Sequence, residues 1–381
     1  MPVEVVPYDP AWRGMYLAES AEVRRVLGYL VDGGVLDELE HMGSTSVPEL
    51  CAKPTIDIFG RIHPYPPNDA TIAALASIGY VWRGEYGLPG RTYFTKGPHD
   101  YHLHLVTFDS DHWQRHLVFR DYLRAHPEAR ERYATLKIDL AERFRLDRPA
   151  YQDGKTELIG VLEREASAWH LAATGFGPVE RLAATLDELP GDVTWAVSSG
   201  WALDLHLGAP TRYHEDLDAE FDREDQAAAQ RHLLDQGWRL DQVIGGGRYS
   251  QWRDGEALAT ESHQVHARRE GEFIDLHFAP RASGAWRFRR DERISLPLAR
   301  AVRETVLPSG RRVPYLAPEA VLLFKSRSYR DGRGEQGRRE KDAADFARVL
   351  PALERPARAW LAGALRQLHG EHPWLAEMAD G

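Results

Sequence analysis

Cysteine is nearly absent. Cys51 is the single one among 381 residues, which excludes an intrachain disulfide and any thiolate metal cluster. Lysine is scarce too, at six residues. No run approaches the roughly 18 apolar residues of a membrane span, and the N-terminus lacks a basic start followed by a long apolar stretch. The expectation is a soluble protein in a reducing, cytoplasmic setting, with no membrane partner. There is no glycine-rich strand–turn–helix fingerprint and no Walker A sequence, so Rossmann dinucleotide-binding and P-loop kinase or ATPase readings fall. Positive charge is in deficit, with 48 Lys and Arg against 58 Asp and Glu, a net charge of −10. That balance argues against a nucleic-acid partner, which needs a cationic footprint. Nothing in the sequence sets an oligomeric state.

What is present is globular: 43% apolar and 28% charged residues, at a length that suits about two domains. The polar and glycine stretch ATGFGP at 173–178 divides the chain into 1–170 and 178–381. In the first part an amphipathic helix is predicted from Pro10 to Leu30, on the spacing of Met15, Ala18, Val23, Val26, Leu27 and Leu30. A turn and short helix follow, then a strand in CAKPTIDIF, a hairpin of RTYFTK with YHLHLVTF, and helices near 110–126, 128–144 and 150–167. In the second part the prediction is a helix at 179–188, a strand at 193–197, an SSG turn and the short helix WALDLHLG ending at Gly208. Next come a strand in YHEDLDAEF, a helix at 223–236 ending at Gly237, a hairpin in HQVHARREGEFIDLHFA, and helices near 317–328, 338–350 and 354–369. The fold class is α/β (α+β): two tandem domains, each a small mixed sheet with packed helices, plus C-terminal helices forming one wall of the second cleft.

The two halves share an order of landmarks. Gly43-Ser44, Asp57, His102/His104 and Lys155 in the first match Ser199-Gly200, Asp216/Asp218, Asp275/His277 and Lys325 in the second. An internal duplication explains this order; a chance rhyme between two α/β domains is the alternative.

The sharpest chemical signal is Asp216-x-Asp218. Two acids two apart on a strand face the same side, and their repulsion is on the order of 4 kcal/mol at about 4 Å and an effective dielectric near 20. A divalent cation such as Mg²⁺ (or Mn²⁺) offsets it and accepts oxygen ligands alongside phosphate. Asp275, in the apolar strand FIDLHF, completes a metal triad suited to nucleotidyl transfer, in which paired ions activate a hydroxyl and stabilise departing pyrophosphate. Asp216 and Asp218 would hold ions and triphosphate, and Asp275 would hold the metal facing the acceptor and serve as base. The amides of Ser199 and Gly200, ahead of a helix, suit the triphosphate of ATP or another nucleoside triphosphate, and Arg212 suits phosphate. Lys325 reads either as pointing into the cleft toward phosphate or as snorkelling from a helix edge. A solvated acidic face and a structural ion pair at Asp275 are the plainer alternatives. Trp201 reads as core or turn packing, and His214 and His277 as supporting or structural groups.

The second half resembles the nucleotidyltransferase superfamily, especially proteins similar to aminoglycoside 2''-adenylyltransferases. The likeness rests on GWALDLHLG…TRYHEDLD, YLAPEAVLLFKSR, RREKDAADF and HPWL, over about residues 180–381. It departs from the pattern at Ser199, where the first Gly of a pair is usual. The resemblance implies a nucleotidyltransferase-like domain and metal-dependent transfer of a nucleoside monophosphate, AMP from ATP, to a hydroxyl of a small acceptor. A crowd of carboxylates, Glu215, Asp216, Asp218, Glu220, Asp222, Glu224 and Asp225, would attract a cationic, aminoglycoside-like acceptor if it rims the cleft. The alternatives are a non-catalytic nucleotide-binding or sensing protein, and transfer to a protein or RNA partner.

The first half resembles the GrpB-like (UPF0157) family, on LEHMGSTSVPELCAKPTIDIF, FRDYLRAHPEARERYATLK and YQDGKTELI, over about residues 1–167. This implies a related minimal α/β scaffold. Gly43, Ser44, Thr45 and Ser46 form a polar turn able to cradle phosphate, and Lys53 and Arg91 supply positive charge. Phe59 stands where a second acid would complete a pair with Asp57. His102, His104 and His41 are potential neighbours of Asp57, and Tyr151 and Lys155 lie one helical turn apart. A transition-metal site, metal-free phosphate or nucleotide binding, and a structural role all remain open for this half.

Overall fold

A computed structural model of the chain describes residues 2–29, 35–88, 90–98, 100–107, 110–214, 216–245, 248–269, 272–282, 284–326 and 336–379. The chain divides into two compact units, Met1–Ala173 and Thr174–Gly381.

In the first unit, helix α1 (Ala11–Leu27) buries Trp12, Tyr16, Val23 and Leu27. Of the other positions named for this helix, Ala18 is exposed, Met15 and Val26 are half-buried, and Leu30 lies outside the described residues. The expected turn and short helix are instead a strand, β1 (Leu36–Met42). Leu36 and Leu39 lie three apart yet share one core face because a bulge between Leu36 and Glu38 adds a residue, while Met42 is buried on the opposite face with Phe59. A single 3-10 turn, Ser44–Ser46, leads into β2 (Ile56–Ile62). Helix α2 (Asp69–Ser77), β3 (Val81–Trp82) and the expected hairpin β4 (Arg91–Lys96) and β5 (Tyr101–Val106) complete the sheet. Its order is β1-β2-β5-β4-β3, with only β2 and β5 parallel. Helices α3 (Asp111–Ala125) and α4 (Pro127–Arg143) follow. The expected third helix is two, α5 (Arg148–Asp153) and α6 (Thr156–Thr174), broken at Gly154. Leu140 packs so closely on Gly154 that a Cβ there would lie 2.6 Å from it.

The second unit opens with α7 (Gly177–Leu186), so only residues 175–176 separate α6 from it. Then come β6 (Trp195–Val197), α8 (Ser199–Leu207) with Gly208 as its left-handed cap, and β7 (Asp218–Asp222). Helix α9 (Gln226–Asp235) precedes strands β8 (Arg239–Gly245), β9 (Arg248–Gln251), β10 (Gln264–Arg269) and β11 (Glu272–Ala279). A small sheet of β12 (Arg281–Ala282), β13 (Ala285–Arg287) and β14 (Ser295–Pro297) follows, then α10 (Leu298–Ala301), β15 (Val302–Val306) and β16 (Arg312–Leu316). Helices α11 (Pro318–Lys325), α12 (Gln336–Val349), α13 (Arg355–His369) and α14 (Pro373–Ala379) end the unit. The main sheet runs β15-β16-β6-β7-β11-β10-β8-β9. Its five central strands β6-β7-β11-β10-β8 have the same order and directions as the first unit's β1-β2-β5-β4-β3, with β7 and β11 as the parallel pair. The shared order of landmarks thus rests on shared topology.

Period-two alternation sorts each central strand. Ile56 and Ile58 of β2 and Leu103 and Leu105 of β5 enter the first core, which turns Asp57, His102 and His104 to the opposite face. Ala219, Phe221, Ile274, Leu276 and Phe278 enter the second core, which turns Asp218, Asp275 and His277 away from it. No described helix is long and apolar enough to cross a membrane.

Candidate functional site

The parallel pairing of β7 with β11 sets Asp275 directly opposite Asp218. His277, two residues on, shares their face. Its Nε2 lies 3.1 Å from Asp218 Oδ1 and 3.4 Å from Asp275 Oδ2. One ligand atom from each of the three falls within 4.8 Å of the others. Burial works against charge on His277, but Asp275 and Asp218 outweigh it and push the imidazole up to about 10. Burial likewise opposes charge on Asp275, and His277 outweighs it to hold the carboxyl below its usual range. Gln264 also donates to Asp275 Oδ2.

The outer oxygens are left over. Asp218 Oδ2 and Asp275 Oδ1 are buried with no hydrogen-bond partner. A buried, partnerless carboxylate oxygen is costly, and two of them on adjacent strands are a donor set that fits Mg²⁺ or Mn²⁺. His277 adds a nitrogen that suits Mn²⁺ better than Mg²⁺.

Asp216 is not in this group. Strand β7 begins at Asp218, so Asp216 lies two residues ahead of the strand and the facing acid pair described by the register is Asp218 with Asp275. The Asp216 carbonyl accepts from Trp201 Nε1 at 3.1 Å, and Trp201 is a buried packing residue, as expected.

The turn ahead of α8 adjoins the acids, because the Ser198 amide donates to the Asp218 carbonyl at 2.9 Å. Ser199 adopts φ 54, a left-handed backbone, at the position where a glycine was expected from the resemblance. Gly200 is fixed by its surroundings: a Cβ there would lie 2.3 Å from His214 Nδ1 and 2.7 Å from Arg212 Nη2. His214 is buried against Asp204, with Nε2 2.6 Å from Oδ2, and burial pushes it down to about 4.

The two cations assigned to phosphate are engaged with acids of α12. Arg212 donates twice to Asp345, at 2.9 Å each. Lys325 neither snorkels nor stands clear; its Nζ lies 2.9 Å from Asp342 and 3.0 Å from Asp345. Arg212 therefore borders the Gly200 turn, braced by Asp345, and Lys325 belongs to the same brace. The acidic rim is also reassigned. Glu220 accepts from Trp286 Nε1, Asp222 from the Glu224 amide and Asp225 from the Thr194 amide. Glu224 is exposed, and Glu215 lies outside the described residues. Sequence reasoning missed Gln264, gave no role to the α12 acids Asp342 and Asp345 although they lie within RREKDAADF, and underrated His277, whose i+2 spacing from Asp275 was the available signal.

The first unit repeats the register with different residues. Asp57 pairs across β2 and β5 with His102. His102 Nδ1 lies 3.2 Å and His104 Nε2 3.6 Å from Asp57 Oδ1, a second group able to hold a metal. Burial would raise the Asp57 pKa, but the two histidines hold the carboxyl far below its usual range. Gly43 (φ 69) rests on this carboxylate; a Cβ would lie 2.3 Å from Asp57 Oδ2. His41 instead meets Thr45, at 3.1 Å, and burial pushes it down to about 4. In the turn and the hairpin the side chains assigned to phosphate have partners within the protein. The Thr45 hydroxyl faces inward to His41 and the Thr55 carbonyl, and Ser46 closes back on Gly43. Arg91 Nη2 is held by the Glu85 and Tyr86 carbonyls, with Nη1 3.4 Å from His104.

Two mixed α/β sheets, each carrying an acid and histidine cluster on a parallel strand pair, define the class. Residues 2–165 match the family described as GrpB protein, and residues 179–349 match the family described as aminoglycoside-2''-adenylyltransferase. The chain belongs to the GrpB (UPF0157) family through its N-terminal unit, and its C-terminal region matches the adenylyltransferase-related family. It is 37% identical over 175 residues to UPF0157 protein PA4798 of Pseudomonas aeruginosa, covering 44% of this chain and 69% of that one. It is 34% identical over 169 residues to UPF0157 protein YqkA of Bacillus subtilis, covering 44% of this chain and 48% of the relative, so it spans about half that protein's length. A crystal structure of ANT(2'')-Ia in complex with adenylyl-2''-tobramycin is 18% identical, with a TM-score of 0.36, over 50% of this chain and 97% of that one.

Proposed function

We propose that the second unit is a metal-dependent nucleotidyltransferase, moving AMP from ATP, or another nucleoside monophosphate from its triphosphate, to a hydroxyl of a small acceptor. The observation that carries this is the pair of buried, partnerless oxygens, Asp218 Oδ2 and Asp275 Oδ1, on residues that face each other across β7 and β11. Asp218 and Asp275 would hold Mg²⁺ or Mn²⁺, with His277 as the third ligand available. When bound, the cation supplies charge stabilisation for the leaving pyrophosphate and lowers the pKa of the acceptor hydroxyl. The Ser199 and Gly200 amides, at the N-terminus of a nine-residue helix, bind the triphosphate. Arg212, held at the turn by Asp345, supplies fixed positive charge beside it. Asp275 takes the hydroxyl proton as the acceptor oxygen bonds to the α-phosphorus and the bond to the β-phosphate oxygen breaks. Glu220, Asp222 and Asp225 accept from neutral N–H groups, which offset none of their charge, and the acceptor is proposed as a small hydroxyl compound, cationic or neutral.

A second reading, nucleotide binding without turnover, is favoured by His277 bridging both carboxylates, a cation already in the ion's place. Pyrophosphate release with Mg²⁺, nucleoside triphosphates and a panel of hydroxyl acceptors separates the two. Release that disappears in Asp218→Asn supports transfer; saturable nucleotide binding with no product supports the second reading.

A further inference from the structure

Three of the six lysines gather in the first unit without an acidic partner. Lys53 Nζ lies 5.8 Å and Lys155 Nζ 4.5 Å from the centre of the same Tyr151 ring. Lys137 Nζ donates to the Cys51 carbonyl, two residues from Lys53. Among the described residues no carboxylate forms an ion pair with any of the three. Lys96 and Lys325, by contrast, sit 2.8 Å from Glu19 and 2.9 Å from Asp342. Lys137 is buried, and Lys53 and Lys155 are half-buried. Burial first, then mutual repulsion, pushes Lys137 down to about 7 and Lys155 to about 8. Gathering cations out of water is unfavourable unless an anion meets them.

The surroundings suit one kind of anion. Ser44 of the Gly43 turn hydrogen-bonds the Tyr133 hydroxyl, one turn before Lys137 on α4. Arg148 acts on Lys53 and Lys155 from the exposed first turn of α5. The acid that acts on all three lysines is Asp57, and its Oδ1 is turned to His102 at 3.2 Å and His104 at 3.6 Å. A single carboxylate would answer one of these cations. A di- or triphosphate carries about three or four negative charges and acceptor oxygens on every side, and lysines bind it as point charges.

We propose that the first unit holds a polyphosphate-binding site, separate from the acids of the second unit, gripped by Lys53, Lys137 and Lys155 beside the Ser44 turn.

The test is calorimetric titration of tripolyphosphate into the full chain carrying Asp218→Asn, in EDTA, so that metal-dependent binding at the second unit is silent. Saturable binding is expected, weakened at least about tenfold by Lys155→Gln and by Lys137→Met and unchanged by Arg13→Gln on the exposed face of α1. Circular dichroism checks each fold, and Lys53→Gln replaces Lys137→Met if burial makes the latter unfold. ATP binding tighter than tripolyphosphate assigns the group to a nucleotide; equal binding assigns it to free polyphosphate. No saturable binding of either overturns the proposal. So does inorganic phosphate binding as tightly as tripolyphosphate, or unchanged affinity in folded Lys155→Gln and Lys53→Gln.

Discussion

Asp275 stands directly across from Asp218 on the neighbouring parallel strand. In the first unit the same register sets His102 across from Asp57. One sheet plan thus presents two acids and a histidine in the second unit, and one acid and two histidines in the first. Two carboxylates repel and call for a cation; an acid with two histidines satisfies itself. This difference is the ground on which the transfer chemistry is proposed for the second unit.

Asp218→Asn and Asp275→Asn should each lower pyrophosphate release by about 10²-fold or more. Asp57→Asn should leave that rate within about threefold. Steady-state assays on the three purified variants check this.

The turn before α8 is sterically asymmetric. Gly200→Ala forces a methyl against the His214 ring and should cost about 2–3 kcal/mol. Ser199→Gly relieves a left-handed backbone at φ 54 and should raise stability by up to about 1 kcal/mol. Urea unfolding of both variants gives the two signs.

Asp345 braces Arg212 and Lys325 at once. Burial opposes its charge, but Arg212 and Lys325 hold its carboxyl well below the ordinary range. Asp345→Ala strands Arg212 and leaves Lys325 with Asp342 alone, and should cost about 3 kcal/mol. Because the folded-state pKa is depressed, the wild-type contribution is complete above about pH 4 and is lost as pH falls below it. The Ala variant should therefore show a smaller loss of stability between about pH 5 and pH 2 in parallel melts.

Much of this architecture was legible in the sequence, and the gaps have physical causes. The hairpins were visible because Phe94, Leu103, Leu105, Ile274, Leu276 and Phe278 alternate with polar residues. The strand β1 was hidden because its bulge puts Leu36 and Leu39 three apart on one face and Met42 is buried on the other. Strands β8, β9, β15 and β16 lack a clean alternation and went unseen. Asp218 was found through its spacing of two from Asp216, and Asp275 because a charge between apolar neighbours is unusual. Their convergence with His277 depends on which strands pair and in what register. The roles of Arg212 and Lys325 were set by Asp342 and Asp345, more than 100 residues from Arg212 and on a different helix from Lys325. Side-chain partners across such distances leave no local trace.

Polyphosphate binding by the first unit should fall with rising pH. Lys137 faces Cys51, Lys53, Lys155, Asp57 and Tyr133, and Lys155 faces Lys53, Asp57, Arg148 and Tyr151. With Lys137 near 7 and Lys155 near 8, both are charged below about pH 6.5, and binding above pH 8 must first take up protons. Affinity for tripolyphosphate should drop steadily between pH 6.5 and about pH 9. The drop should be shallower in Lys155→Gln.

The most direct measurement of the central claim uses ATP labelled on either the α- or the γ-phosphate, with Mg²⁺ and a panel of small hydroxyl compounds. The account predicts that the α-label passes to an acceptor while the γ-label leaves as pyrophosphate, and that both events vanish in Asp275→Asn. Passage of the γ-label to the acceptor, or α-label transfer that persists unchanged in Asp275→Asn, would contradict it.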